Sequence, residues 1–395
     1  MRVLVNGLSM LGAKAGIGHY AAEVVRCLRA KLGESQVVVH QPAPSARTGF
    51  ARVREWLEQP SRLGQPILWR QWTLGGLLWL KGLARAGVDA VTPKKDWSEY
   101  DLYHEPNFLP LPIDLPTVVT VHDLSVLEHP EWHPAARLAE YEKRFASGLE
   151  RARHLVTVSE HARQEIVRLL GADPSRVTVT YNGVRELFRP LPAEAVRERL
   201  KTLGLPTRYL LHVGTIEPRK NLLMLMKAYC TLPASVRASC PLVLAGGWGW
   251  RCEAERSYLQ GTARHKGVIH AGYLAEEDLG ALYNGARALV FPTHYEGFGM
   301  PAAEMLACGG AVLASTAGAV AEVLGGKGHL TEPQDESGWR EAMQRVIEDD
   351  EWRESLCVGG VERAKRFTWD RCAEGTLKAY EVALRSGAGI KAKAA

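Results

Sequence analysis

One feature limits the fold more than any other. Short apolar runs alternate with amphipathic segments of helix length, and the alternation is played through twice. In the first pass the runs are RVLVN (2–6), QVVVH (36–40), LYHEP (102–106), TVVTVHD (117–123), HLVTVSE (154–160) and VTVTYN (177–182). Helical spacing occupies HYAAEVVRCLRAKL (19–32) and EHARQEIVRLLG (160–171) between them. The second pass reads YLLHVG (209–214), PLVLAGG (241–247), VIHAGY (268–273), ALVFP (288–292) and AVLAS (311–315). Its helices are NLLMLMKAYCTL (221–232), EDLGALYNGA (277–286) and PAAEMLACG (301–309). Strands buried on both faces and separated by helices belong to parallel sheets. The expectation is an α/β protein of two doubly wound, Rossmann-like domains facing across a cleft. A length of 395 residues also exceeds what one core ordinarily fills.

The expected division places a first domain at 1–186 and a proline- and charge-rich linker at 187–207. A second domain follows at 208–368, then an amphipathic helix at 369–386 and a disordered tail at 387–395. A net charge of +5 is too small for a bulk nucleic-acid binder. Seven scattered cysteines without a CxxC pair read as reduced thiols in a cytoplasmic protein. No run approaches the ~20 apolar residues that span a bilayer.

Chemistry concentrates in FPTHYEGFGMPAAEMLACGG (291–310). Glu296 leaves the carboxyl end of the ALVFP strand, where ligands of doubly wound sheets collect. Gly297 and Gly299 allow close backbone approach, and Pro301 suits the start of a helix whose amides face an anion. Glu304 in that helix can accept two hydrogen bonds from a vicinal diol such as a ribose, while Glu296 meets sugar hydroxyls. A solvated loop charge and a helix-dipole partner are the plain alternatives for the two. HVGTIEPRKNLLMLM (212–226) places Arg219 and Lys220 after Gly214 at another strand end, and two adjacent cations there suit a diphosphate.

In this order the motifs resemble family 4 glycosyltransferases of the GT-B fold, and the resemblance covers nearly the full length. The family's E-x7-E pattern falls on Glu296 and Glu304, within the donor-binding stretch Gly297, Phe298, Gly299 and Met300. Its diphosphate signature falls on Gly214, Arg219 and Lys220, and GIGHY supplies a glycine loop with Gly16 and Gly18. VHD (121–123) puts His122 at the family's cleft histidine, with Asp123 its structural neighbour. Glu322 matches a family position, although a helix cap serves equally well. Gly310-Ala311 departs from the usual small residue plus proline, which touches loop stiffness only.

The resemblance implies retaining transfer of a hexose or deoxyhexose, mannose- or rhamnose-like, from a nucleotide diphosphate sugar. Glu296, Arg219, Lys220 and His122 are expected at the chemistry. No cofactor and no metal is required, because the cations and helix amides already supply positive charge to the leaving diphosphate. VHDLSVLEHPEWHP resembles mannosyltransferase-like members, which favours a GDP-sugar. The last helix, in relatives, crosses back to the first domain. Alternatives are a GT-B nucleotide-sugar epimerase or hydrolase, and a non-catalytic nucleotide-sugar-binding subunit.

Residues 47–97 carry five tryptophans (56, 69, 72, 79, 97) interleaved with arginine and lysine. This composition reads either as an interfacial segment at the inner leaflet of the cytoplasmic membrane or as a helix packed on the core. On the first reading the acceptor is a glycan or lipid-linked oligosaccharide, the setting bacterial surface polysaccharide or lipopolysaccharide assembly, and the protein peripheral on the cytoplasmic face. Nucleic acid is not an expected partner.

Overall fold

A computed structural model describes residues 1–10, 16–40, 96–387 and 389–390. All of the tryptophan-rich stretch before Asp96 lies outside the described residues. Trp97, at its end, packs edge-on against His40 at 5.4 Å between ring centres.

The chain builds two six-stranded parallel sheets. The first contains β1 (Val3–Asn6), β2 (Val37–His40), β3 (Leu102–Glu105), β4 (Thr117–Val121), β5 (Ala152–Thr157) and β6 (Val177–Val179) in the order β2-β1-β3-β4-β5-β6. The second contains β7 (Leu210–Val213), β8 (Leu242–Ala245), β9 (Val268–Gly272), β10 (Ala288–Phe291), β11 (Val312–Ser315) and β12 (His329–Thr331), ordered β12-β11-β10-β7-β8-β9. Strands β1, β3, β4, β8, β10 and β11 are buried at every residue, as apolar runs without alternation require. The sheets are those the sequence rhythm calls for, with β12 added. HLT is too short and too exposed at Leu330 to register as an apolar run.

In the second sheet the strand order reverses between β7 and β10, which pair directly through Ala288–Leu210 and Leu289–Leu211. A crevice opens at such a switch point, outside the carboxyl ends of the strands. The first sheet reverses between β1 and β3. The loops that leave β7 and β10 build the centre of the cluster described below.

Two segments differ from the sequence expectation. The span 187–207 is more than a connector: it contains the helix Ala193–Thr202, whose Val196 and Leu200 are buried with Tyr209 and Leu282 in the second lobe. Its proline and charge content hid the apolar i, i+4 pair. The first helix opens at Gly16 rather than at His19, so Gly16 and Gly18 lie in its first turn. First-turn amides lack intrahelical acceptors, so a glycine there costs little and leaves the backbone approachable.

The helix Trp369–Arg385 lays Trp369, Ala373, Ala379, Tyr380 and Ala383 into the core of the first lobe beside Val3, Val5 and Tyr20. The Tyr380 hydroxyl lies 2.7 Å from His104 Nδ1 in that core. Among the described residues, no helix is long and apolar enough to cross a membrane.

Candidate functional site

Because β7 and β10 are neighbours, the loops that follow them are neighbours too. The β7 loop turns through Gly214 and a short 3-10 turn at Pro218–Lys220. Asn221 closes that turn at φ 58°, and its side-chain amide donates to the carbonyls of Pro292 and Pro333 at 3.1 and 2.7 Å. The left-handed region favours asparagine after glycine, so the residue fits the turn it makes. The β10 loop runs back against it, with His294 N and Thr293 Oγ1 both donating to the Arg219 carbonyl at 2.8 and 3.0 Å.

This crossing brings three charged groups together. Arg219 Nη1 meets Glu296 Oε2 at 2.8 Å, Lys220 Nζ meets Oε1 at 2.5 Å, and Thr293 Oγ1 lies 3.0 Å from Oε1. Glu217 grips Arg219 from the other side at 2.8 Å. Burial pushes the Glu296 carboxyl up, but Arg219 and Lys220 outweigh it and hold the group at about 2. The guanidinium moves upward because Glu296 and Glu217 more than offset its own burial. An ideal Cβ on Gly214 would stand 3.6 Å from Lys220 Cε, so the glycine backbone covers the lysine stem.

Immediately after Glu296 the chain touches the opposite lobe. A Cβ on Gly297 would lie 1.9 Å from the His122 carbonyl oxygen, so no larger residue fits there without moving one lobe. Ser159 Oγ donates to the Gly297 carbonyl at 2.6 Å. Gly299 then takes φ 97° and caps the helix Met300–Ala307, with Pro301 in its first turn. The first amide hydrogen bonds of that helix return to the Gly299 carbonyl from Ala302 and Ala303, at 3.0 and 3.4 Å.

Glu304 lies one turn deeper in the helix. Tyr283 donates to its Oε2 at 2.7 Å and Arg185 approaches its Oε1 at 3.8 Å. Burial dominates here and raises the carboxyl to about 7. Arg185 is itself held by Glu276 at 2.8 Å, and Glu276 faces His19 of the other lobe at 3.3 Å. The glycine turn at Gly16 and Gly18 is therefore carried to the cleft by the helix whose His19 meets the second lobe.

Not every expected residue presents its side chain. Phe298 is buried against Phe367 and Tyr181, with ring centres 5.4 and 6.3 Å away, and Met300 packs on the same cluster. Phe298 can therefore offer a ligand only its backbone, while Met300 is half-buried. His122 is buried, and its Nε2 lies 2.8 Å from the Pro106 carbonyl. A carbonyl only accepts, so Nε2 carries the proton and Nδ1 is left as the acceptor of a neutral ring, which burial favours by lowering the pKa. Glu322 does act as a cap, but for a helix of the other lobe: it accepts from Glu160 N at 2.9 Å, His161 N at 3.0 Å and Tyr181 OH at 2.7 Å.

Sequence reasoning passed over Tyr295. Its hydroxyl bonds to Glu165 of the first lobe and accepts from Leu124 N at 3.1 Å, which pins the residue before Glu296 across the cleft. Its place beside Glu296 was the one available signal. The aromatic rim formed by Trp132, His129 and His294 was also missed.

Two lobes, each built on a parallel six-stranded sheet, with a cation–carboxylate cluster at the switch point of one abutting a buried histidine of the other, define a GT-B glycosyltransferase architecture. Comparison with known proteins agrees. Residues 15–186 match the family described as Glycosyltransferase Family 4, and residues 199–359 match Glycosyl transferases group 1. O-antigen chain mannosyltransferase B of Escherichia coli is 36% identical over 290 residues, covering 73% of this chain and 76% of that protein. The serotype-specific mannosyltransferase WbdA of the same organism is 30% identical over 284 residues, but the chain spans only 34% of its length. Among solved structures, sucrose-phosphate synthase from Thermosynechococcus elongatus superposes with a TM-score of 0.68 at 20% identity, over 96% of this chain and 98% of that one. WaaG, a glycosyltransferase involved in lipopolysaccharide biosynthesis, gives 0.67 at 15% identity, over 96% and 99%. The chain belongs to glycosyltransferase family 4.

Proposed function

We propose that this glycosyltransferase moves a hexose or deoxyhexose, mannose- or rhamnose-like, from a nucleotide diphosphate donor to a glycan or lipid-linked acceptor. The setting we propose is bacterial O-antigen or related surface polysaccharide assembly on the cytoplasmic face of the membrane. A GDP-sugar is the favoured donor. One observation carries the reading: Arg219 and Lys220 converge on Glu296 at the switch point of the second sheet, with Glu304 on the helix that follows.

The cluster works as a charge exchange. In the free protein Glu296 and Glu217 together balance the two cations. A donor diphosphate brings two or more negative charges to the same place, and the cations turn to it. Glu296 is then released toward the sugar hydroxyls. Glu304 accepts the ribose diol. Charge grows on the diphosphate as the bond to the anomeric carbon breaks, so cations held there stabilise the transition state more than the ground state. The acceptor hydroxyl adds from the face the diphosphate leaves, its proton passes to the departing phosphate oxygen, and configuration is retained. No metal is assigned a part.

The test is transfer from GDP-mannose to a mannoside acceptor, with the anomeric coupling of the product read by NMR. Lys220→Ala should lower kcat by two to three orders of magnitude, on the scale of one lost contact to developing charge, about 3–4 kcal/mol. Retained activity in that variant, or an inverted product, would overturn the mechanism. A thermal-shift panel of GDP-, UDP- and dTDP-sugars identifies the donor by the stabilisation each confers.

A further inference from the structure

One cation beside the cluster has no part in the charge exchange. Arg185 lies where the chain passes from the first lobe to the second, just beyond Val184, whose N donates to the Phe367 carbonyl at 2.9 Å. That passage sets Arg185 at the seam, its guanidinium over the Phe188 ring at 5.0 Å and its side chain only 10% exposed. Two carboxylates reach it there. Glu276 Oε2 accepts from Nη1 at 2.8 Å, and Glu304 Oε1 stands 3.8 Å from Nη2. The first is a hydrogen-bonded ion pair, and the second is too long to be one.

The two carboxylates are not equivalent. Glu276 opens the helix Glu276–Gly285, where first-turn amides favour an acidic residue, and its side chain is 42% exposed. Its other oxygen faces His19 of the first lobe at 3.3 Å. Glu304 is buried, and few groups face it. Tyr283 donates to its Oε2, and Cys308, at the end of the same helix, feels its charge. Burial holds the tyrosine hydroxyl well above its ordinary 10 and pushes the thiol up to about 12, so both are neutral near pH 7. Among the described residues, Arg185 is then the one charged group at Glu304. A buried carboxylate stays ionised only beside a cation or enough hydrogen-bond donors.

The consequence falls on the ribose. An ionised carboxylate offers acceptors to both hydroxyls of a diol, while a protonated one gives up an acceptor and brings a donor of its own. Tyr283 already takes one place on Oε2, so only the ionised form has acceptors to spare. We propose that Arg185 is a positioning residue for Glu304: its guanidinium is shared between Glu276 and Glu304, and its share on Glu304 decides whether that carboxylate meets the donor ribose charged. The proposal rests on the transferase reading above. It adds that an ion pair outside the E-x7-E motif sets the grip on the donor, and that Glu276 weakens this grip by drawing the cation away.

The experiment follows the Glu304 carboxyl in the full chain by carboxyl-carbon NMR of isotope-labelled glutamate, with the signal assigned by its loss in Glu304→Gln. In the parent it should titrate at about 7. Arg185→Met should raise the midpoint by about one pH unit, the scale of one neighbouring charge, and Arg185→Lys should restore much of it. Glu276→Gln should move it the other way, because the freed guanidinium settles on Glu304. Glu105, also raised by burial to about 7, should hold its midpoint in every variant. Calorimetry with GDP-mannose, whose diphosphate does not titrate near neutrality, reads the effect on binding. From pH 8 to pH 6 the parent should lose about tenfold in affinity, since about nine in ten carboxyls are protonated one unit below the midpoint. Glu276→Gln should lose less, and Arg185→Met should already bind weakly at pH 7. A Glu304 midpoint alike in all proteins, or moved in one direction by both substitutions, overturns the proposal. So does an affinity indifferent to pH in parent and variants. Should Arg185→Met fail to fold, the sign of the Glu276→Gln shift decides. If the midpoints part as expected while no nucleotide sugar binds, the sharing of Arg185 stands and the donor reading fails.

Discussion

Glu296 and Glu304 are both buried, and only the cations around them set their opposite titration. Glu296 has two, Arg219 and Lys220, and its folded pKa falls below the ordinary 4.5 to about 2. It contributes stability above pH 4.5 that is lost as pH falls toward 2. Glu304 has only a distant Arg185, and its pKa rises to about 7. Here the sign reverses: the folded state binds the extra proton, so stability is fullest below pH 4.5 and declines as pH rises to about 7. Glu304→Gln should therefore flatten part of that decline, on the order of 2–3 kcal/mol in urea titrations run from pH 4.5 to 8. A residual slope from Glu105, also raised by burial to about 7, should survive the substitution. An unaltered slope would show that Glu304 is not the proton carrier.

At the scale of elements, loops and helix ends decide how the lobes meet. Gly297 lies so near the His122 carbonyl that Gly297→Ala must wedge the cleft. We expect kcat to fall at least tenfold with little change in thermal stability, since each core is untouched. Small-angle scattering should report a larger radius, and an unchanged radius would count against the wedge. Glu322 caps the helix Glu160–Leu170 across the cleft, beside that helix's own cap at Ser159, which accepts from Ala162 N at 3.0 Å. Glu322→Ala strips acceptors from two helix amides and from the Tyr181 hydroxyl. A loss of about 1–2 kcal/mol in chemical denaturation is expected, the usual cost of a missing cap. The motif match singled out Glu322 but not its partner, because a cap donated by another lobe leaves no local spacing to read.

For the whole molecule, the helix Trp369–Arg385 is the element that ties the chain's end to its beginning. Tyr380 is fully buried in the first lobe, although it follows the entire second sheet in sequence. Tyr380→Ala removes an aromatic ring from that core and the partner of His104, a cost of roughly 3–5 kcal/mol. Hydrogen exchange should quicken in β1 and β3 before it does in β7 and β10, and donor affinity should hold because the cation cluster lies in the other lobe. Uniform loosening of both sheets would mean the lobes unfold as one unit.

Apolar runs repeated with helical intervals were enough to determine two parallel sheets, because strands buried on both faces admit few other arrangements. The E-x7-E spacing and the Arg-Lys step likewise marked the residues of the cation–carboxylate cluster and of the helix beside it, since each is a local pattern. What the sequence could not express is contact between distant loops. That Glu296 would close on Arg219 and Lys220 follows from β7 pairing with β10, a long-range fact. The same holds for the His122 ring turned to Pro106 and for Tyr295 pinned to Glu165. Phe298 reads as a ligand contact in its motif and is packing in space. Local pattern fixes which groups a loop carries, while tertiary packing alone decides which of them face the cleft, because the side of a loop that is buried is set by whatever element folds against it.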